Sequence, residues 1–217
     1  VAPPISNEES GTAAIETTGQ LHPYYLTDTI EVTLKEAPDY DDELMAELRE
    51  SFHEEAMEEV FPTLTESLEA LKSEPYSEEK ILTLRRAFHT LKGSGYMAGY
   101  MYEGEIAWQV EQVLNGCRDK NYPFSPAIWH HANDGYHAIA TLLGGGEFSN
   151  DELGRIAYQA QYLMSNGGII EPQEMSAIVE QLPKAAVEHI AEERPALETA
   201  AAMPEESEEV DTTLSHL

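Results

Sequence analysis

Apolar residues recur through the middle of the chain at intervals of three and four. Leu44, Leu48, Phe52, Ala56, Val60, Leu64, Leu68 and Leu71 form a stripe that the 3.6-residue period holds for about eight turns of helix. Asp41 and Asp42 stand ahead of it as N-cap candidates, Pro62 is placed to kink it, and SEPYSEEK ends it. Ser77 with Glu78 and Glu79 opens the next helix, whose inward stripe is Ile81, Leu84, Phe88, Leu91 and Gly95. A third helix over 102–119 turns Ile106, Val110, Val113, Leu114 and Cys117 inward. The fourth, over 125–143, begins at Ser125 and Pro126, favoured N-cap and N1 residues, and carries Ile128, Ala132, Tyr136, Ile139 and Leu143. After GGGE, Ser149 and Asn150 begin a fifth helix that runs through Met164, and a weaker one follows NGG from Pro172 to Leu182.

Short loops between amphipathic helices of this length predict an all-α fold, an antiparallel up-down four-helix bundle over 41–145. One or two extra helices follow over 146–191. Residues 1–40 mix Pro, Thr, Ser, Gly and Glu and read as a disordered or linking segment, in which TDTIEVTLKE alternates like a short isolated strand. The Ala/Glu-rich stretch 192–217 reads as a disordered acidic linker.

Charge narrows the partners. The 217 residues carry 41 acidic and 12 basic side chains, a formal charge of -29, so phosphates of nucleic acid or of an anionic membrane would be repelled over most of the surface. A lone cysteine, Cys117, excludes an internal disulfide and suits a reducing cytoplasm. The chain has no apolar run of membrane-spanning length, and its first residues lack the basic start and apolar stretch of a signal peptide. It begins without Met, as a segment of a longer protein would.

Within this acidic chain, no Asp or Glu occurs from Lys80 to Tyr102, and four of the twelve cations, Lys80, Arg85, Arg86 and Lys92, surround His89. His89 lies one residue past Phe88, so it projects from the flank of the helix beside the core stripe. Arg85 and Gly93 are its neighbours at four residues, Arg86 and Lys92 at three. Glycine inside a helix costs about 0.5–1 kcal/mol relative to alanine, so Gly93 and Gly95 call for a reason. An exposed imidazole, a cation one turn away and a bare step beside it suit acceptance of a phosphoryl group: Lys92 offsets its charge, and Gly93 admits a partner.

At His89-Thr90-Leu91-Lys92-Gly93-Ser94 the chain resembles the histidine phosphotransfer (HPt) domains, whose signature is His-x-x-Lys-Gly-(Ser/Ala). Lys-Gly-Ser at those offsets from a given histidine arises by chance on the order of once in a few thousand, which favours the resemblance over an ordinary surface histidine. The surrounding RRAFHTLKGSGYMAG, the HEEAMEEV stretch and EIAWQVEQVLN are similar to HPt domains of CheA-type chemosensory kinases, particularly the large kinases linked to twitching pili. The resemblance spans about 41–145. It implies that His89 accepts phosphate on its distal nitrogen, that Lys92 supports the phosphate and that Gly93 gives access. It also implies a partner-binding surface of Arg85, Arg86, Ser94 and Tyr96. The expected partners are a response-regulator receiver domain and a histidine kinase catalytic domain. The donor is either ATP, through a kinase domain, or a phospho-aspartate. ATP and Mg²⁺ are expected on those partners and no cofactor or metal on this chain, which has no ATP-lid motif.

Other readings fare less well. GSGYMAG superficially resembles a nucleotide loop, but such loops follow a strand and RRAFHTL reads as helix. His130, His131 and His137 do not share a helix face with an acidic partner in a metal-binding pattern, so surface histidines are expected. Trp108 and Trp129 are expected in the core or at its edge, and Cys117 as a small apolar residue. The competing function is an HPt-like bundle that docks signalling partners without phosphotransfer. Loss of the histidine or the lysine would mark it, and both are present.

Overall fold

The computed structural model describes residues 21–182, and all the regular structure among them is helical. The helices are α1 (Asp42–Glu55), α2 (Phe61–Ser73), α3 (Glu78–Met97), α4 (Met101–Arg118), α5 (Pro126–Leu143), α6 (Asn150–Ser165) and α7 (Met175–Gln181). Asp41, Ser77, Ser125 and Ser149 each accept a backbone N–H from the first turn that follows, and Ser149 closes a capping box with Glu152.

The first long stripe becomes one rod in which the π-helical segment Ala56–Val60 joins α1 to α2. Pro62 has no N–H to donate, and just before it Phe61 N–H bonds to Ala56 O, five residues back. In an ideal helix a four-residue repeat from Phe52 to Leu68 would drift by about 160°. The extra residue in the π turn takes up most of that drift, so Phe52, Ala56, Val60, Leu64 and Leu68 are all buried. Burial begins only at Phe52, with Leu44 exposed and Leu48 partly covered.

α2 packs on α3, α3 on α4, α4 on α5, and α5 returns to α2, closing a four-sided bundle. Leu84, Phe88, Leu91, Ile106, Leu114 and Ile139 are fully enclosed at its centre. α6 lies outside the square, seated on α4 and α5 through Leu153, Ile156, Ala160 and Leu163. α7 begins at Met175 rather than near Pro172, because the residues before it are extended and Gln173 N–H donates to Pro23 O at 2.6 Å.

Residues 21–41 correct the expectation of a disordered or linking segment over 1–40 for the part that is described. They form neither helix nor strand, yet His22, Tyr25 and Leu26 are buried. In place of the alternating strand there is a strap laid over α6. Ile30 N–H bonds to Gly154 O at 3.2 Å, and a Cβ on Gly154 would fall 2.5 Å from Ile30 O. The apolar side chains of the strap thus gain a surface that a glycine leaves open. Residues 1–20 and the expected linker 192–217 lie outside the described residues.

The strap also changes the reading of the α5 histidines. His131 is fully enclosed and His130 half-buried, because α6 and the strap cover this side of α5. The His22 ring stacks on His130 with centroids 4.0 Å apart, and His22 Nε2 lies 3.2 Å from Asp134 Oδ2. Arg155 Nη1 lies 3.6 Å from the same oxygen, and its guanidinium covers the Tyr25 ring. Burial pushes the His131 imidazole down to about 4. Burial and the neighbouring His22 do the same to His130, also to about 4.

Candidate functional site

α3 and α4 run antiparallel, joined by a tight turn in which Gly99 takes φ +77°. They come close because two glycines meet: a Cβ on Gly95 would lie 3.4 Å from Gly104 N, and the Tyr96 ring covers Gly104. That approach sets the register of the two helices. His89 follows the fully buried Phe88, and Glu111 follows the fully buried Val110, so both emerge beside the core onto the same seam.

There they bond. His89 Nδ1 lies 2.8 Å from Glu111 Oε1. Lys92 Nζ donates to Glu111 Oε2 at 2.6 Å, and Arg85 Nη2 donates to Oε1 at 3.1 Å. Arg85 Nε also donates to Asn115 Oδ1 at 2.7 Å. The Glu111 side chain is only 3 % exposed, whereas that of His89 is 58 % exposed. Burial by itself would raise the Glu111 carboxyl, but the hydrogen bonds and charges of Lys92 and His89 outweigh it and hold the group below its ordinary value. An ionised carboxylate only accepts, so the tautomer assigned to His89 carries its proton on Nδ1. Lys92 Nζ, 3.3 Å from that nitrogen, then directs its hydrogen bond to Glu111. Nε2 keeps its lone pair and has no hydrogen-bond partner among the described residues.

A half-exposed imidazole with one nitrogen anchored and the other free sits in the middle of a helical bundle's second long helix. The Hpt domain family model matches residues 29–142, more than half of the chain. The chain belongs to the Hpt domain family. No curated protein and no solved structure matches it. Hpt membership implies histidine phosphotransfer in a phosphorelay, and domains of this family generally pass phosphoryl groups to receiver domains.

Within the Hpt bundle the other anticipated residues divide. A Cβ on Gly93 would meet nothing within 4 Å, so the helix surface one turn from His89 is bare. Arg86 is exposed. Arg85 is not a free surface cation: its side chain is 15 % exposed and is spent on Glu111 and Asn115. Lys92 likewise has Glu111 as its first partner. Ser94 Oγ donates back to Thr90 O at 2.7 Å within α3. Tyr96 OH donates to Glu105 Oε2 at 2.7 Å, and burial, with that bond to a carboxylate, raises its phenol above the ordinary value. Trp108 is 37 % exposed on α4, one turn before Glu111, instead of packing in the core. Trp129 is an edge residue whose Nε1 donates to Leu68 O at 2.8 Å. Cys117 is half-buried, and burial pushes its thiol up to about 12, so it behaves as an inert small residue.

Glu111 is the site residue the sequence reading missed. Its signal was an acid one position past an inward-facing valine, the same offset that His89 has from Phe88.

Proposed function

We propose that this chain carries a phosphoryl group on Nε2 of His89 and passes it to an aspartate of a response-regulator receiver domain. The observation that supports this most strongly is the bond from His89 Nδ1 to the buried Glu111, which leaves Nε2 as the nucleophile. The Nε2 lone pair attacks phosphorus in line with the leaving oxygen. The N–P bond forms as the P–O bond to the donor breaks, and the leaving oxygen keeps that electron pair. The ring then bears positive charge while Nδ1 keeps its proton, and Glu111, 2.8 Å away, offsets that charge. In the return step a receiver carboxylate oxygen attacks phosphorus, the N–P bond breaks, and its electrons go back to Nε2. No proton moves at the reacting nitrogen.

Lys92 has two roles in this scheme. It fixes Glu111 through its 2.6 Å bond, and its charge, with Nζ 3.3 Å from Nδ1, lies beside the ring to offset the negative charge of the phosphate. The donor is ATP, through a histidine kinase catalytic domain, or a phospho-aspartate, and Mg²⁺ belongs to the receiver. The RRAFHTLKGSGYMAG and EIAWQVEQVLN stretches favour a chemosensory kinase of the CheA type as the parent system.

The test is to label the protein with phosphoramidate, add a receiver domain, and follow both phosphoproteins. Acid-labile, base-stable label on His89 that moves to a receiver aspartate is expected. Stable binding of a receiver with no transfer would favour the docking-only reading.

A further inference from the structure

Free positive charge around His89 is scarcer than the sequence suggests. Of the four cations between Lys80 and Tyr102, Arg85 and Lys92 are held by Glu111, and Lys80 Nζ lies 3.7 Å from Glu66. Only Arg86 of these four has no carboxylate partner among the described residues. Another cation reaches this face from outside α3. Lys35, exposed on the strap, places Nζ 4.0 Å from the centroid of the Tyr96 ring. Tyr96 follows His89 by seven residues, which puts it on the same helix face about 10 Å further along.

That ring is a fixed platform. Its hydroxyl is bonded to Glu105, and Gly104 lies directly beneath it. The strap itself is anchored at three points upstream: His22 on Asp134, Tyr25 against Arg155, and Ile30 on Gly154. A cation held over an aromatic face by an anchored segment has a preferred position, and Lys35 remains exposed there. A flexible linker would have no such means of holding Lys35 over Tyr96, on the helix face that carries His89.

We infer that Lys35 is a receiver-docking residue of the phosphotransfer face, supplied by the strap to meet an acidic surface on the receiver domain. The inference rests on the phosphotransfer function proposed above. Complementary charge mainly sets the association rate and orientation of partners, and salt screens it over about 8–10 Å. Lys35 therefore acts on encounter and leaves the chemistry of Nε2 unchanged.

The experiment measures the second-order rate of transfer from phosphoramidate-labelled protein to a receiver that accepts phosphate from the wild type, across ionic strength. Lys35→Glu is expected to lower that rate about three- to tenfold at low salt, with the gap closing near 0.5 M salt. Lys35→Met, which keeps a side chain over Tyr96 without the charge, should give a smaller loss. Labelling of His89 by phosphoramidate should be the same in all three proteins. Lys72→Glu, the same charge change on α2 beside Trp129, is the control for net charge and should alter the rate less than about twofold. A Lys35→Glu protein that transfers as fast as wild type at low salt, or a Lys72→Glu protein equally slowed, would overturn the role of Lys35. Labelled wild type that passes phosphate to no receiver would instead overturn the phosphotransfer function itself.

Discussion

His89 and Glu111 are joined across two antiparallel helices, Nδ1 to Oε1 at 2.8 Å, with the carboxylate buried and the imidazole exposed. With the carboxylate ionised, this pairing places the ring proton on Nδ1 and leaves Nε2 without a hydrogen-bond partner among the described residues. The same carboxylate gathers Lys92 and Arg85, so two of the four cations around the histidine are organised by one buried acid.

Glu111→Gln should separate that arrangement from the fold. The amide loses the charge that offsets the ring, and a charge-assisted hydrogen bond of about 1.5 kcal/mol corresponds to roughly tenfold in transfer rate. Leaving Lys92 and Arg85 half-buried without their counter-ion should also cost about 1–3 kcal/mol of stability. Urea denaturation and transfer kinetics on the same protein measure both effects.

Gly93→Ala should raise stability by about 0.5–1 kcal/mol, because the added methyl meets nothing and the helix gains propensity. Gly93→Trp should fold as well but slow transfer to a receiver, leaving labelling by phosphoramidate intact. A thermal melt and a transfer assay on the pair distinguish access from structure.

Acid should loosen the strap side of the bundle. Unfolded histidines bind protons near pH 6.5, whereas burial holds His130 and His131 down to about 4. Between those values the unfolded chain carries more protons, so stability falls as pH drops from about 6.5 toward 4. The depressed Glu111 carboxyl adds a further loss at lower pH, once it too protonates. His131→Leu removes a fully buried imidazole, and denaturation at several pH values should show a weaker acid dependence than wild type.

Periodicity carried most of the helical architecture because the core stripes are long and unbroken: Ile81, Leu84, Phe88 and Leu91 are buried as spaced. The strap was not legible, since its contacts are scattered over α5 and α6 and no local period announces them. Tyr25 and Leu26 look like any two apolar residues in a polar stretch. At the site, His89, Lys92 and Gly93 could be placed by spacing within one helix. The Glu111 partnership depends on the register of α3 against α4, which the Gly95–Gly104 contact sets and which neither helix reveals alone. For the same reason Arg85 read as a surface cation, although Glu111 claims it.

The most direct test of the central claim is nitrogen-15 and phosphorus-31 NMR of histidine-labelled protein after reaction with phosphoramidate. A single phosphohistidine at His89, bonded through Nε2 with the proton retained on Nδ1, is the predicted result, and His89→Gln should show none while keeping its helical circular dichroism. Phosphate on Nδ1, phosphate on another histidine, or undiminished labelling of His89→Gln would contradict it.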